Sequence, residues 1–105
     1  MSHKMERKII NIGTTEILNP EFDYMPSKFE WIVIDYAFAA YEGSGYAVLK
    51  NGPQLAIWNL GHNSCWGPGE ATPDTMRIER WRDNDVHTTA GLSKELIQKV
   101  DELLS

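Results

Sequence analysis

A histidine and a cysteine lie three positions apart in a segment rich in glycine. Residues 59–70 contain His62, the single cysteine Cys65, Trp66, three glycines and a proline. An imidazole and a thiolate are groups that bind zinc, and they also form a nucleophile with its base. Because such side chains on a loop shaped by glycine and proline are typical of a functional site, this segment is the first candidate.

A metal site is the first chemistry to weigh. Zinc needs four ligands, and His62 and Cys65 supply two of them. The other candidates in the sequence are His87, Glu70, Asp74 and Asp85. Two ligands at one place make half a site, so we predict no bound metal and no cofactor. In the structural alternative, His62 hydrogen-bonds the loop backbone and Cys65 is a small buried apolar residue.

A cysteine nucleophile is the second chemistry. Cys65 would attack as a thiolate, with His62 or His87 as its base. Asp74 or Asp85 would orient the imidazole, and neighbouring glycine amides would form an oxyanion hole. Cys65 is expected to follow a strand, so no helix dipole would stabilise its thiolate. We therefore favour a non-enzymatic protein and keep a Cys65-dependent enzyme as the third hypothesis.

Two other patterns suggest binding but have simpler explanations. Residues 41–45 (Tyr-Glu-Gly-Ser-Gly) lack the lysine and the helix of a phosphate-binding loop, so we expect a turn. Three arginines surround Trp81, and arginine with an aromatic ring can clamp nucleic acid. Acidic residues are interleaved with them and the net charge is −5. This favours a solvated strand face and no nucleic-acid partner.

Composition places the chain among ordinary globular domains. Its 105 residues are 42% hydrophobic and 24% charged, which fits a single domain over 1–105 with a flexible start at 1–6. No apolar run reaches the roughly 20 residues that span a bilayer, so we expect no membrane partner. One cysteine and no visible leader favour the cytoplasm.

The hydrophobic pattern predicts an α+β fold. Strands are expected at 7–12, 14–18, 29–40, 46–50, 54–60 and 75–82, with turns at 41–45 and 51–53. Both alternating sets of 29–40 are apolar, which is typical of a central strand covered on both faces. Ser93 is the predicted N-cap of a C-terminal helix, with Leu92 and Ile97 as a hydrophobic staple. We therefore expect an antiparallel meander of about five or six strands, with one helix on one face.

Aromatic residues on predicted loops give two binding hypotheses. The first is a protein-binding surface anchored by Phe22, Tyr24 and Trp66, although residues 19–26 are also expected to fold back onto the sheet. Self-association through a sheet edge is a companion to it. The second is a small-molecule or nucleotide pocket. Its aromatic walls would be Trp66, Tyr41 and Tyr46, and its polar groups would be His62, Asn63 and Glu42.

The glycine-rich segments also resemble a group of small bacteriophage and bacterial proteins. Those proteins share a Gly-x-Gly-aromatic turn, an Asn-Gly or Asp-Gly hairpin and a Leu-Gly-His-Cys-x-Cys-aromatic-Gly-Pro segment. The matching residues here are Glu42-Gly43-Ser44-Gly45-Tyr46, Asn51-Gly52 and 60–68. Those proteins have no assigned activity, so the resemblance suggests only that the chain is phage-encoded. The expectation that it contacts a host or viral protein comes from its acidic character and its loop aromatics. Asn63 stands where the pattern has a cysteine, which argues against metal or redox chemistry.

Overall fold

One five-stranded sheet organises the molecule. The structure is a computed structural model that describes residues 8–62, 67–83 and 91–105. The strands follow chain order across the sheet: β1 Lys8–Asn11, β2 Trp31–Ala39, β3 Glu42–Asn51, β4 Gln54–Asn59 and β5 Asp74–Arg77. After the strands, the described residues form two helices, α1 Ile78–Arg82 and α2 Lys94–Leu104. The predicted α+β class is confirmed.

The sheet is mixed, because its first strand runs parallel to its neighbour. Strands β2 to β5 pair antiparallel as the predicted meander. Strand β1 instead pairs parallel with β2, and Lys8 lies opposite Trp31. Residues 12–30 make the return crossing that a parallel pair requires and an antiparallel hairpin does not. The purely antiparallel arrangement predicted for the meander is corrected at this edge.

The strand predicted at 14–18 is also corrected. The Ile12 amide donates to the Ile34 carbonyl and the Thr15 amide donates to the Tyr36 carbonyl, each at 2.9 Å. These bonds continue the line of β1 for a few residues without forming a separate strand. The side chain of Asn11 then bonds both the amide and the carbonyl of Ile17, at 2.9 and 3.0 Å, and bends the chain away.

Strand β2 is covered on both faces, as its two apolar sets predicted. Val33 packs into a cluster with β3, β4 and α2, and Ile32 packs into a second cluster on the opposite face. The second face is covered by residues from the crossing segment, including Phe22 and Phe29. Two buried faces explain why both alternating sets of this strand are apolar.

Helix α2 begins where the sequence placed it. The hydroxyl of Ser93 accepts the amide of Leu96 at 3.2 Å, which is an N-cap bond. The same hydroxyl donates to Asp35 of β2 at 2.6 Å, so the cap also fixes the helix to the sheet. Leu96 and Val100 are fully buried against the first face. In the described residues, no helix has the length and apolar character needed to cross a membrane.

The strand predicted at 75–82 ends early and becomes a helix. Strand β5 stops at Arg77, and the Ile78 amide donates to the Pro53 carbonyl at 3.0 Å. Helix α1 then carries Trp81 into the core, where its indole donates to Asp101 of α2 at 2.8 Å. Burial of this large ring against α2 outweighs the alternating pattern of the segment.

The turn between β2 and β3 is tighter than the predicted 41–45. Ala40 and Tyr41 form it, with φ of +53° and +66°, the sign pattern of a type I′ turn. Residues 42–45 belong to β3 instead. The hairpin predicted at 51–53 is confirmed, but Asn51 is the last residue of β3 and the turn consists of Gly52, at φ +61°, and Pro53.

Candidate functional site

His62 extends the line of β4 beside the start of β3. Its amide and carbonyl exchange hydrogen bonds with the carbonyl and amide of Gly43, at 3.0 and 2.8 Å. The Leu60 amide also donates to the Gly45 carbonyl, at 2.8 Å. The backbone around His62 is therefore fixed by sheet pairing, although Asn59 is the last residue of the strand proper.

Both ring nitrogens of His62 have partners. Nδ1 lies 3.0 Å from the Leu60 carbonyl, which can only accept, so we assign the proton of the neutral ring to Nδ1. Nε2 then accepts from the Tyr36 hydroxyl at 3.2 Å. The imidazole also stacks with the rings of Tyr36 and Phe38, with centroids 5.7 and 5.6 Å away. Burial raises the pKa of Tyr36, which keeps its hydroxyl available as the donor.

Gly43 leaves the space that this imidazole occupies. A Cβ at position 43 would overlap the ring of His62 and would lie 2.7 Å from the Tyr36 hydroxyl oxygen. Gly43 is paired with Phe38 across the strands, and Gly45 with Tyr36. The glycine-rich segment is therefore part of a strand that accommodates rings, and it is not a phosphate loop.

A cleft of about 420 Å³ opens beside His62. Its lining residues are Glu42, Gly43, Asn59, Gly61, His62, Gly67, Glu70 and Ala71. The Glu70 carboxylate accepts the Gly67 amide at 2.7 Å, and the Asn59 amide oxygen accepts the Gly61 amide at 2.9 Å. These two hydrogen bonds, each from a backbone amide to a nearby side chain, hold the wall of the cleft in shape.

Lysine and arginine are absent from the sequence that builds this region. Positions 31–49 and 51–76 contain neither residue, whereas they contain Asp35, Glu42, Glu70 and Asp74. Two of these carboxylates, Glu42 and Glu70, line the cleft. The cleft therefore combines a negative character with the ring of one histidine.

Two exposed aromatic residues adjoin residues that line the cleft, although neither Phe38 nor Tyr41 is part of the lining, so Tyr41 does not form the predicted wall. Tyr41 is 77% exposed in the turn that precedes Glu42, and Phe38 is 46% exposed next to the imidazole of His62. We call Phe38, Tyr41 and the cleft together the hairpin end. It joins exposed aromatic surface, in which interface cores are enriched, to carboxylates of the kind that suits a polar interface rim.

A second groove lies near the other end of β3. It measures about 390 Å³, and its lining includes Tyr24, Asn51 and Pro73. Tyr24 is 78% exposed and has a positive φ of 63°. Because β3 spans ten residues, about 30 Å separates the two ends of that strand. Tyr24 therefore does not share a surface with the hairpin end.

The structure brings some predicted site residues together and separates others. Glu42 and His62 line one cleft, as the pocket hypothesis required. Tyr46 packs toward α2 on the first face and does not line the cleft. Phe22 is only 5% exposed, because its ring packs 5.5 Å from that of Trp58 and the Asp23 carbonyl accepts the Trp58 indole. Phe22 thus offers almost no surface to a partner.

Several predicted site residues lie outside the described residues. These are Asn63, Cys65, Trp66, Asp85 and His87. In the part of the chain that is described, no three His, Cys, Asp or Glu side chains are grouped closely enough to hold a metal ion. The hypothesis of a Cys65 nucleophile stays a prediction.

The arginines near Trp81 have a structural explanation. The Trp81 indole is fully buried, so its ring cannot stack with a base. Arg77 lies 3.4 Å from Glu79, and Arg82 donates to the Leu104 carbonyl at 3.1 Å. The pKa of Glu79 is lowered, first by a backbone hydrogen bond and then by Arg77.

Sequence reasoning missed Tyr36 and Phe38 as neighbours of His62. Both belong to an apolar strand and resemble ordinary core residues there. The only available signal was Gly43 and Gly45, whose spacing matches that of two rings on the facing strand.

Comparison of the chain with protein-family models, with curated proteins and with solved structures found no match.

Proposed function

We propose that this chain is a non-enzymatic protein-binding protein that contacts its partner through the hairpin end. The observation that carries the proposal is Tyr41, a large aromatic residue held at φ +66° and 77% exposed, at the turn that also presents the exposed Phe38 and leads into cleft-lining Glu42. Tyr24 is equally exposed and also has positive φ, but it does not line this cleft. A bulky residue with positive φ is a conformational outlier. Such outliers are concentrated at binding and catalytic sites, where the strained residue has a role beyond stability.

The other tight turn of the sheet provides an internal comparison. The turn between β3 and β4 is formed by Gly52 and Pro53, and its positive φ of 61° falls on a glycine, which has no Cβ to strain. The turn between β2 and β3 uses Ala40 and Tyr41 at a cost of roughly 1–2 kcal/mol for each left-handed residue. A tyrosine contributes little to folding when most of its ring is in water. Its place in this turn is better explained by contact with a partner.

Phe38 extends the same surface. Its ring is partly exposed and its inner side stacks on the imidazole of His62, which is held in place through both of its nitrogens. A fixed aromatic surface loses little side-chain entropy on binding, and aromatic anchors contribute most of the energy at many interfaces. The partner we propose is a host or viral protein in the cytoplasm.

Affinity capture with a matched control tests the proposal. Immobilised wild type and the Tyr41→Ser variant would be exposed to the same host lysate, and bound proteins would be quantified by mass spectrometry. Tyr24→Ser is the control, because Tyr24 is equally exposed and also has positive φ at the far end of β3. We expect Tyr41→Ser to lose a bound protein that Tyr24→Ser retains. Equal capture by all three proteins would refute the proposal.

A small-molecule site in the cleft is the second candidate. It is favoured by one observation, the presence of Glu42, Asn59 and His62 in a single cleft of about 420 Å³. A thermal-shift screen against nucleotides and cationic metabolites would test it, with Asn59→Ala as the variant that should lose any shift. An unchanged melting temperature across the panel would count against it.

A further inference from the structure

We infer that the hairpin end binds a basic segment of a partner protein and that an arginine of this segment occupies the cleft. This inference rests on the proposed function and specifies the chemistry of the partner. It combines two observations made at one place. These are the exposed aromatic rings of Phe38 and Tyr41 and the carboxylates of Glu42 and Glu70.

The distribution of charge around the cleft indicates which sign of charge the partner carries. The sequence has no lysine or arginine at positions 31–49 and 51–76, which supply the hairpin and the cleft lining. Salt screens charges separated by more than about 8 Å at physiological ionic strength, so local groups dominate the field at the cleft. With Glu42 and Glu70 there and a net charge of −5, an acidic partner would be repelled.

The pairing of ring and carboxylate favours arginine over lysine. The partly exposed ring of Phe38 stacks on His62, and His62 lines the cleft with Glu42 and Glu70, so an aromatic face adjoins the carboxylates. A guanidinium group stacks on aromatic rings and forks onto carboxylates, whereas an ammonium group acts as a compact point charge. The hydrogen bond from the Gly67 amide orients the Glu70 carboxylate at the cleft. Apolar neighbours of that arginine would then pack against Phe38.

The charge contribution has a measurable signature. Glu42→Gln with Glu70→Gln keeps the shape of the cleft and removes its two carboxylate charges. We expect this double variant to bind a basic peptide about 5- to 10-fold more weakly at low salt, with the difference shrinking at high salt. Asp74→Asn with Glu95→Gln is the matched control, since it removes the same charge from two exposed residues outside the cleft.

Selection from a random displayed-peptide library tests the inference on the full chain. The bait proteins are wild type, the Glu42/Glu70 variant, the Asp74/Glu95 control and Tyr41→Ser. We expect wild type and the control to enrich peptides with an arginine beside an apolar residue. The Glu42/Glu70 variant should lose them, and Tyr41→Ser should bind them weakly.

The remaining outcomes separate this inference from the proposed function. Enriched peptides without basic residues that depend on Tyr41 would overturn the inference and leave the proposed function standing. Peptides that bind Tyr41→Ser as well as wild type, or no enrichment at all, would overturn both. Sedimentation of the wild type gives the last control. Self-association that the Glu42/Glu70 variant abolishes would identify a second copy as the occupant and overturn the assignment to another protein.

Discussion

His62 connects three parts of the molecule through one side chain and its backbone. The ring accepts from Tyr36 of β2, the backbone pairs with Gly43 of β3, and Nδ1 bonds the Leu60 carbonyl. With both nitrogens hydrogen-bonded, the ring has a structural role, because it holds Phe38 and the cleft wall in place.

A methyl group at position 43 tests how closely this ring is fitted. Gly43→Ala would place its Cβ on the imidazole of His62 and close to the Tyr36 hydroxyl. We expect a loss of about 2 kcal/mol in the free energy of unfolding, measured with urea, because overpacking displaces fixed groups. Gly67→Ala is the control, since a Cβ added at that position would meet none of the described residues' atoms within 4 Å. Equal stability of the two variants would contradict this fit.

The hydroxyl of Tyr36 should give the stability a dependence on high pH. Burial raises the pKa of Tyr36 above its usual 10.0, so the unfolded chain releases this proton first as pH rises. The contribution of the Tyr36 hydroxyl to the free energy of unfolding is therefore complete below pH 10 and is lost as the pH rises above it. We expect Tyr36→Phe to be about 1 kcal/mol less stable than wild type near neutral pH, because the bond to His62 is lost.

The pH test compares urea unfolding of the two proteins at about pH 8 and about pH 10.5. The stability difference between wild type and Tyr36→Phe should narrow at the higher pH, because only wild type carries this ionising group. A stability difference that stays constant or widens would show that burial does not suppress the ionisation of the Tyr36 hydroxyl.

At the scale of elements, local patterns predicted most of the sheet and the last helix. The paired apolar sets of 29–40 predicted β2, and Ser93 predicted the start of α2. The parallel pairing of β1 could not be predicted, because it depends on where the crossing segment returns. Helix α1 could not be predicted either. Its apolar and polar residues alternate as in a strand, and the helix depends on the burial of Trp81 against α2.

Ser93 is predicted to stabilise two elements at once. Its hydroxyl caps α2 and bonds Asp35 of β2. We expect Ser93→Ala to lower the free energy of unfolding by about 1–2 kcal/mol, at the upper end for a cap. Ser105→Ala is the control, because its exposed hydroxyl bonds only the nearby Glu102 carbonyl among the contacts described. A loss of less than about 0.5 kcal/mol for Ser93→Ala would rule out this double role.

At the scale of the whole molecule, the two ends of β3 differ in chemistry. One end joins exposed aromatics to carboxylates, and the other is a groove beside Tyr24. The sequence led us to predict that aromatic residues serve binding, and that Tyr41 and Glu42 belong to a binding pocket. It could not show that Phe22 is buried or that Phe38 lies beside them, because those positions follow from packing across the sheet.

The central claim is that the turn at Ala40 and Tyr41 is kept for binding at the expense of stability. Replacing both residues, Ala40→Asn with Tyr41→Gly, would install the residue types that a type I′ turn favours. We expect the variant to be about 1 kcal/mol more stable in urea unfolding, because left-handed strain is relieved. The same variant should lose the partner retained by wild type and by Tyr24→Ser.

The most direct test is therefore to measure both the free energy of unfolding and partner capture for the variant Ala40→Asn with Tyr41→Gly. A protein that becomes more stable and stops binding would separate the two roles of the turn as the account predicts. A variant that is less stable than wild type, or that captures the same protein equally well, would contradict it.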